Sequence, residues 1–541
     1  MKISISSLAL IGLLLQASWL QAENEGQADL DAATEKKLEA KSLGDLGEVI
    51  SLCEKALDKG LDEGGTEFAK QLLGSTLLQR GTLLTNPIFE QQPPAPQWPQ
   101  LRTLALADLE KAVEAQPDLG EAHILIAKLQ VLPQGDKDKA VAAIDKAIEV
   151  FDEDKKKKSE AIALRASLQD DPEKRIADLN EAIKVDPTND AALRLRGALR
   201  VQAGEHEEGL ADLMKVLELN PEDVGAHRAA AEALASLDKF DEAMEHLNKS
   251  IDLNEDSEAG YILRARLYSR HEKDAEAEKD LNEAIKRNPR SLAALLMRAE
   301  VRARLEKYKL AEGDIDRVLE LRPGLPPAVL LRAGIYAAQE RYLPAIRDLQ
   351  QILRNDPDNV DIRLQIAAFY VADQRPSMAI DVLTEILGDE PENWRALRAR
   401  GDALLSLGKQ KEAIEDYEAA LKVHQENDGL YNNLAWVLST SPDDDLRDGE
   451  RAIELAKKAC ELTDYKAAHI LSTLGAAYAE TGDFETAKEW SAKAVEMGDE
   501  EVKEQLKEEL ESYKQEKPWR EKQEVKEKPK PPRASESDLE L

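Results

Sequence analysis

LRLRGALRVQAGEHEEGLADL, residues 193–213, contains two short amphipathic patterns separated by one turn. Apolar residues recur three and four positions apart in both halves, which is the spacing of one face of an α-helix. The stretch therefore predicts a helix–turn–helix unit. Within it, Arg196 lies directly before Gly197, where the helical pattern predicts a core residue. Comparison with the rest of the chain decides whether Arg196 is a binding group, a catalytic group or part of the frame.

The unit recurs with a step of 34 residues. Prolines keep this step at 187, 221, 289, 323, 357 and 391, with Glu255 at the one vacant position. Small residues keep it at 197, 231, 265, 299, 333, 367, 401 and 435, and again at 209, 243, 277, 311, 345, 379 and 413. Small side chains let helices cross closely, and Pro after the second helix stops its propagation. Such a step is the signature of a repeat array.

The columns resemble the tetratricopeptide repeat (TPR), which has small residues at its eighth and twentieth positions and Pro at its thirty-second. The resemblance is strict from Asp190 to Gln425 and looser on both sides. It implies an all-α chain that forms a right-handed α-solenoid (superhelix) of about 12–13 TPR-like helix-turn-helix repeats. Residues 432–463, with NNLAW and RDGERAIELAKKACELT, also resemble the terminal repeats of exported TPR proteins from planctomycete-like bacteria.

Composition divides the chain into five parts. Residues 1–22 combine Lys2, an apolar run and small residues before Ala22, which is typical of a cleaved secretory signal peptide. An uncleaved membrane anchor is the alternative, and no other segment is apolar enough to span a membrane. The other parts are irregular repeats in 23–189 with a Pro-rich, non-helical loop at 86–100, seven regular repeats in 190–425, further repeats and a capping helix in 428–515, and a disordered tail in 516–541. We therefore expect an exported protein, periplasmic or secreted.

The net charge of −34 argues against nucleic acid and anionic membranes as partners, because phosphate binding needs clustered Lys and Arg. Cys53 and Cys460 lie in apolar helical patterns and are interpreted as buried free thiols. The sequence contains no motif for nucleophilic, phosphate-binding or metal-dependent catalysis, so we predict no enzyme activity, cofactor or metal. The alternative is a metal site at His227 and His246, which fall in one repeat but need further ligands.

The repeats also test the role of Arg196, because they align with one another. Arg at this position occurs together with Asp on the second helix in seven of twelve copies, and the other five copies have neither residue. The pairs are Arg80–Asp108, Arg165–Asp178, Arg196–Asp212, Arg264–Asp280, Arg298–Asp314, Arg332–Asp348 and Arg400–Asp416. Removing one partner of a buried ion pair strands a charge, whereas replacing both is nearly neutral. Their joint occurrence therefore predicts salt bridges that hold the frame.

A stack of such repeats offers a concave surface lined by the first helices. The TPR resemblance places on it Arg194, Arg228, Arg266, Arg270 and Arg304, together with Asn432, Asn433 and Trp436. The implied function is a non-enzymatic scaffold in the bacterial envelope or secreted space, whose groove binds protein or peptide segments. Two alternatives stay open: the arginines pair with neighbouring acids, and the chain is an envelope assembly component that self-associates. The oligomeric state is undetermined.

Overall fold

The computed structural model describes residues 24–90, 96–521, 525 and 527–530. Across these residues it contains 27 α-helices and one short 3-10 helix, with no strand. The helices follow one another in pairs joined by short turns, which confirms the predicted all-α repeat fold. Two compact units divide the chain, unit 1 up to Leu267 and unit 2 from Tyr268.

Unit 1 contains six complete helix pairs and most of the helix that follows them. The pairs are α1 (Gln27–Glu39) with α2 (Leu43–Lys59), α3 (Glu63–Phe89) with α4 (Trp98–Ala115), α5 (Gly120–Val131) with α6 (Lys137–Val150), α7 (Lys155–Leu168) with α8 (Pro172–Val185), α9 (Asp190–Ala203) with α10 (His206–Leu219), and α11 (Val224–Ser236) with α12 (Phe240–Leu253). The division at residue 267 falls inside α13 (Glu258–Arg270). The regular block 190–425 therefore spans both units. The boundary between the compact units does not coincide with either end of the regular repeats.

Unit 2 continues with α14 (Asp274–Arg287) and then six further pairs. These are α15 (Leu292–Arg304) with α16 (Tyr308–Leu321), α17 (Pro326–Ala338) with α18 (Tyr342–Leu353), α19 (Val360–Ala372) with α20 (Pro376–Asp389), α21 (Trp394–Ser406) with α22 (Gln410–Val423), α23 (Asp428–Thr440) with α24 (Gly449–Leu462), and α25 (Ala468–Glu480) with α26 (Phe484–Met497). A 3-10 turn at Asp444–Leu446 fills the insert before α24, and α27 (Lys503–Lys514) ends the array.

Local sequence fixes where the helices begin and turn. Most first helices of the regular block start after a side chain that accepts a hydrogen bond from the backbone three residues on, as an N-cap does. These caps are Asn189, Asp223, Ser291, Asn359 and Asn393. The turn inside each regular pair contains one residue with positive φ, at 204, 238, 272, 306, 340, 374 and 408. Because the same left-handed residue recurs, the regular pairs share one turn geometry.

The core lies between the two helices of each pair and continues into the next pair. The mostly leucine column on the second helices is at most 1% exposed throughout. It comprises Leu213, Leu247, Leu281, Ile315, Leu349, Leu383 and Tyr417. Cys53 and Cys460 are free and buried, and burial raises the pKa of each thiol to about 11. Each unit therefore contains one protected thiol.

The Pro-rich loop predicted at 86–100 is shorter than expected, and the prediction is wrong at both ends. Residues 86–89 belong to α3 and residues 98–100 to α4. Pro87 lies in the last turn of α3. Its missing N–H therefore removes a helical hydrogen bond only at the end of the helix. Pro99 lies in the first turn of α4, where a missing N–H costs no helical hydrogen bond. Residues 91–95, in the middle of the predicted loop, are outside the described part of the chain.

The tail predicted to be disordered from residue 516 makes specific contacts in unit 2, so that prediction is wrong for its first part. The indole of Trp519 packs beside Tyr513 and Ala476. The backbone N–H groups of Glu521 and Lys528 donate to carbonyl oxygens of the array at 2.9 Å. The sequence pattern missed this because a charged, Pro-containing segment has no helical periodicity of its own.

The predicted signal peptide at 1–22 lies outside the described residues, and its cleavage stays a prediction. Among the helices that the structure describes, none is long and apolar enough to cross a membrane.

Candidate functional site

The Arg column runs through the interior of the helix pairs. In six pairs, Nε and Nη2 of the arginine donate to the two carboxylate oxygens over 2.5–3.1 Å. These pairs are Arg80–Asp108, Arg165–Asp178, Arg196–Asp212, Arg298–Asp314, Arg332–Asp348 and Arg400–Asp416. The aspartates are at most 8% exposed. Hydrogen bonding to the aspartate raises the pKa of Arg80 and Arg400. Arg264 and Asp280 lie in different units, and their pairing stays a prediction.

A third column, which the sequence reasoning missed, joins the five arginines of the regular block to the preceding repeat. Nη1 donates to an oxygen 16 residues earlier, on the second helix of the previous pair. The acceptors are Asn180 for Arg196, Asn248 for Arg264, Asn282 for Arg298, Asp316 for Arg332 and Thr384 for Arg400. The signal in the sequence was weak, because Gln350, which also carries a side-chain oxygen, stands there in a copy without arginine. One guanidinium group thus ties three helices together.

The predicted basic surface is partly neutralised by acids of the array. Arg194 lies 2.8 Å from Asp223, which also caps α11. Arg304 lies 2.8 Å from Asp274 and 3.1 Å from Glu300. Arg228 and Arg266 line a pocket in unit 1, and Arg270 lies in unit 2. The five arginines are therefore divided between the two units, three in unit 1 and two in unit 2.

The predicted polar group on α23 has partners within unit 2. Nδ2 of Asn433 donates to Asp402 at 2.9 Å, and Nδ2 of Asn432 donates to Asn433 at 3.3 Å. The indole N–H of Trp436 donates to Glu521 of the C-terminal segment at 2.5 Å. Trp436 is therefore in contact with the chain's own tail.

An apolar groove of about 910 Å³ lies on the first helices of unit 1. Its floor is formed by half-buried side chains of successive first helices α5, α7 and α9: Ile124, Leu125, Leu164 and Leu195. Its rim carries charges, among them Lys128 and Glu160, and an ion pair of 2.5 Å between Lys157 and Glu121. Half-buried leucine and isoleucine side chains in a concave surface are the usual lining of a ligand site.

A polar pocket of about 390 Å³ continues this groove at Gly225 and Ala229, which line both. Its walls include Arg228 and Glu258, on α11 and α13. Nε of Arg228 and Oε2 of Glu258 are both buried, and within the described residues neither has a hydrogen-bond partner. A buried donor or acceptor without a partner costs about 1–3 kcal/mol, so turning either side chain toward a ligand that supplies its partner recovers that energy.

Charge-based reasoning found Arg228 and Arg266 but missed the apolar floor. A signal was available in α5, whose sequence GEAHILIAKLQV is apolar almost all round. A surface helix normally buries one apolar face and keeps a polar face toward solvent. Helix α5 has more apolar residues than one buried face requires. Excess apolar residues on a first helix therefore indicate a second contact surface.

His227 and His246 meet as the sequence suggested. Nε2 of His227 lies 3.1 Å from the carbonyl of Pro221, and the two Nδ1 atoms lie 2.9 Å apart. The carbonyl only accepts, so Nε2 of His227 carries hydrogen, and one of the two Nδ1 atoms donates to the other. Burial, and then the charge of His227, lower the pKa of His246. No group of three or more His, Cys, Asp or Glu suited to a metal occurs in the described part of the chain.

This pair predicts that stability falls in mild acid. Because the folded pKa of His246 lies below the unfolded value of about 6.5, the unfolded chain takes up the proton first as pH falls. The stabilisation is complete above about pH 6.5 and is lost below it. We expect the urea midpoint, followed by circular dichroism, to fall less between neutral and mildly acidic pH in His246→Val than in wild type. Equal pH dependence of the two proteins would contradict the assignment.

Comparison with known families agrees with the geometry. Tetratricopeptide repeat models match residues 200–267 and 336–401, 262–326, and 468–497, and a TPR repeat model matches 401–439. A search of curated proteins finds no match.

Solved structures with detectable likeness include YrrB, yeast Tom70 and a tetratricopeptide repeat protein from Parabacteroides merdae. YrrB, described as a TPR protein with an unusual peptide-binding site, is 20% identical over 34% of this chain and 95% of its own, with a TM-score of 0.29. Yeast Tom70 is 16% identical over 82% of this chain and 95% of its own, with a TM-score of 0.36. A protein from Parabacteroides merdae is 18% identical over 51% and 91%, with a TM-score of 0.30. The family matches and the 34-residue columns show that this chain is built from tetratricopeptide repeats, which supports a role as a scaffold for protein–protein interaction.

Proposed function

We propose that this scaffold is non-enzymatic and binds a protein segment in the apolar groove of unit 1. The observation that carries the proposal is the floor of Ile124, Leu125, Leu164 and Leu195, which is half-buried without a partner chain. Covering such side chains removes apolar surface from water and contributes about 25 cal/mol per Å². The groove therefore favours a segment with large apolar side chains.

The polar pocket next to the floor supports the same kind of ligand. An extended segment carries a free N–H and a free carbonyl at most residues. The carbonyl suits Nε of Arg228, and the N–H suits Oε2 of Glu258. We infer a ligand segment with two or three large apolar residues, followed by backbone that bonds to these two groups.

The proposed setting is the bacterial envelope or the secreted space. It rests on the sequence of residues 1–22, which has the layout of a cleaved signal peptide, and on the resemblance of residues 432–463 to exported TPR proteins.

Leu164→Glu is expected to weaken binding by about 10–100-fold, since burying a side chain of this size contributes ~1.5–3 kcal/mol. The ligands are peptides selected on the full-length chain from a random library displayed on phage. We expect the selected peptides to share two or three large apolar residues. Fluorescence anisotropy of labelled copies measures their affinity for wild type and variant.

Leu104→Glu is the matched control, because Leu104 is 57% exposed on α4 and does not line the groove. It should leave the affinity unchanged. Equal losses in the two variants, or selected peptides without apolar residues, would overturn the proposal.

A further inference from the structure

The segment after α27 begins with an aromatic anchor in unit 2. Trp519 packs in a cluster with Trp436, Tyr513 and Ala476. Next to it, Arg520 lies 2.7 Å from Glu480, at the end of α25. The backbone N–H of Glu521 donates to the carbonyl of Thr440, the last residue of α23, at 2.9 Å. The segment is therefore attached to the C-terminal ends of two first helices.

The same segment makes a second set of contacts two repeats earlier. The backbone N–H of Lys528 donates to the carbonyl of Gln374 at 2.9 Å, just after α19. Its Nζ lies 3.0 Å from Asp373. The Glu527 carboxylate accepts from the N–H and hydroxyl of Ser377 at 3.1 and 3.0 Å. Ser377 is in the first turn of α20, where an anion is favoured by the helix dipole.

These contacts lie along one edge of unit 2, which we call the turn edge. It consists of the C-terminal ends of α19, α23 and α25 with the start of α20. Seven residues separate Glu521 from Lys528, a reach of at most ~25 Å. Two steps between neighbouring first helices cover roughly 20 Å. The segment thus has the length to cross two repeats in an extended form.

Charge favours this placement. Residues 517–533 contain seven Lys or Arg and three Glu, in a chain whose net charge is −34. The turn edge presents Asp373, which Arg375 also contacts at 2.6 Å, to Lys528, and Asp381 lies 3.3 Å from Lys530. Two lysines of a basic segment therefore lie against two aspartates of the same chain.

We propose that the turn edge of unit 2 is a second docking site, specific for extended, lysine-bearing protein segments, which residues 519–521 and 527–530 of the C-terminal segment occupy as an internal ligand. Backbone bonds to Thr440 and Gln374 select an extended chain, and Asp373 and Asp381 select lysine. The site is separate from the groove of unit 1, and the proposal does not depend on that groove. The internal ligand keeps Trp436 covered until a competing segment displaces it.

The internal ligand is suited to displacement. Its lysine pairs are largely exposed, with Lys528 at 48% and Lys530 at 69%, and exposed pairs contribute only ~0–1 kcal/mol each. The internal ligand stays bound mainly because it is tethered, since a short linker gives an effective concentration on the order of mM. A free peptide of the same sequence therefore binds weakly unless the contacts of the internal ligand are weakened.

A labelled peptide with the sequence of residues 517–533 tests the proposal against the full-length chain. We expect it to bind Trp519→Ala/Lys528→Glu, in which the internal ligand is weakened, at least about 10-fold more tightly than wild type, as measured by anisotropy. Binding should weaken as salt rises, because the contacts are charged. Both changes lie after the last helix, and circular dichroism confirms that the array stays folded.

Two controls make the result specific. The peptide carrying the same two changes should not bind, and Leu164→Glu in unit 1 should leave peptide binding to the double variant unchanged. Equal binding to wild type and the double variant, or no binding to either, overturns the proposal. Loss of peptide binding in Leu164→Glu would place the peptide in the groove of unit 1 and would also overturn it.

Discussion

Arg400→Leu is expected to destabilise unit 2 by about 3–5 kcal/mol, more than the double change Arg400→Leu with Asp416→Leu. The single change leaves the carboxylate of Asp416 only 5% exposed and without its two hydrogen bonds from Arg400, of 2.8 and 2.7 Å. The double change removes the charge together with its partner. Three other copies in unit 2 already have apolar pairs there: Ile366 with Val382, Leu434 with Leu455, and Leu474 with Trp490.

This pair gives a cleaner test than the corresponding pair of Arg298 with Asp314. Asp314 also lies 2.7 Å from Arg302, and Asp212 in unit 1 lies 2.9 Å from Arg200 in the same way. In those repeats a second arginine still neutralises the aspartate after the first is removed. We therefore expect Arg298→Leu to cost less than Arg400→Leu.

Urea unfolding followed by circular dichroism compares the variants, and the two cysteines show which unit is affected. Cys460 lies on α24, in the pair next to Arg400, and Cys53 lies in unit 1. Alkylation of Cys460 should become faster in Arg400→Leu, while alkylation of Cys53 stays slow. If the double variant proves less stable than Arg400→Leu, the salt bridge does not hold the frame.

The salt bridges within the helix pairs could be predicted from the sequence because they recur with a fixed step. Arg196 and Asp212 are 16 residues apart in every regular copy that has them, so one alignment of the chain with itself predicts the pairing. The contact to Asn180 recurs equally, but its acceptor varies between Asn, Asp and Thr. These residues share an acceptor oxygen but not a residue type. An alignment that compares residue identities therefore does not find the column.

The candidate sites could not be predicted in the same way, because they do not recur. The apolar floor depends on three neighbouring first helices of unit 1 alone. The contacts of Glu521 and Lys528 join positions 85 and 155 residues apart, which only folding of the intervening array brings together. Functional surfaces of a repeat protein are where copies differ, so self-alignment does not find them.

Gly209→Val is expected to destabilise unit 1 by about 3 kcal/mol, at the upper end of the cost of overpacking. A Cβ at Gly209 would lie 2.8 Å from the carbonyl oxygen of Gly197, 2.7 Å from Cγ2 of Val201 and 3.0 Å from its backbone N. Two of these atoms are backbone, which moves only if α9 moves away from α10. Hydrogen exchange of the amides in α9 and α10, measured by mass spectrometry, should become faster.

Gly313→Val is the control, because nothing lies within 4 Å of a Cβ at this position in α16. Valine has a higher helix propensity than glycine, so this variant should be slightly more stable than wild type, by up to ~0.5 kcal/mol. Gly209→Ala should fall between wild type and Gly209→Val, since one methyl already requires α9 to shift. If Gly209→Val and Gly313→Val have equal effects, the close approach of α9 and α10 does not limit the residue at 209. Both substitutions replace a helical glycine with valine, so the effect of helix propensity is the same in both. A loss of stability at 209 with a gain at 313 would therefore come from the close approach of α9 and α10.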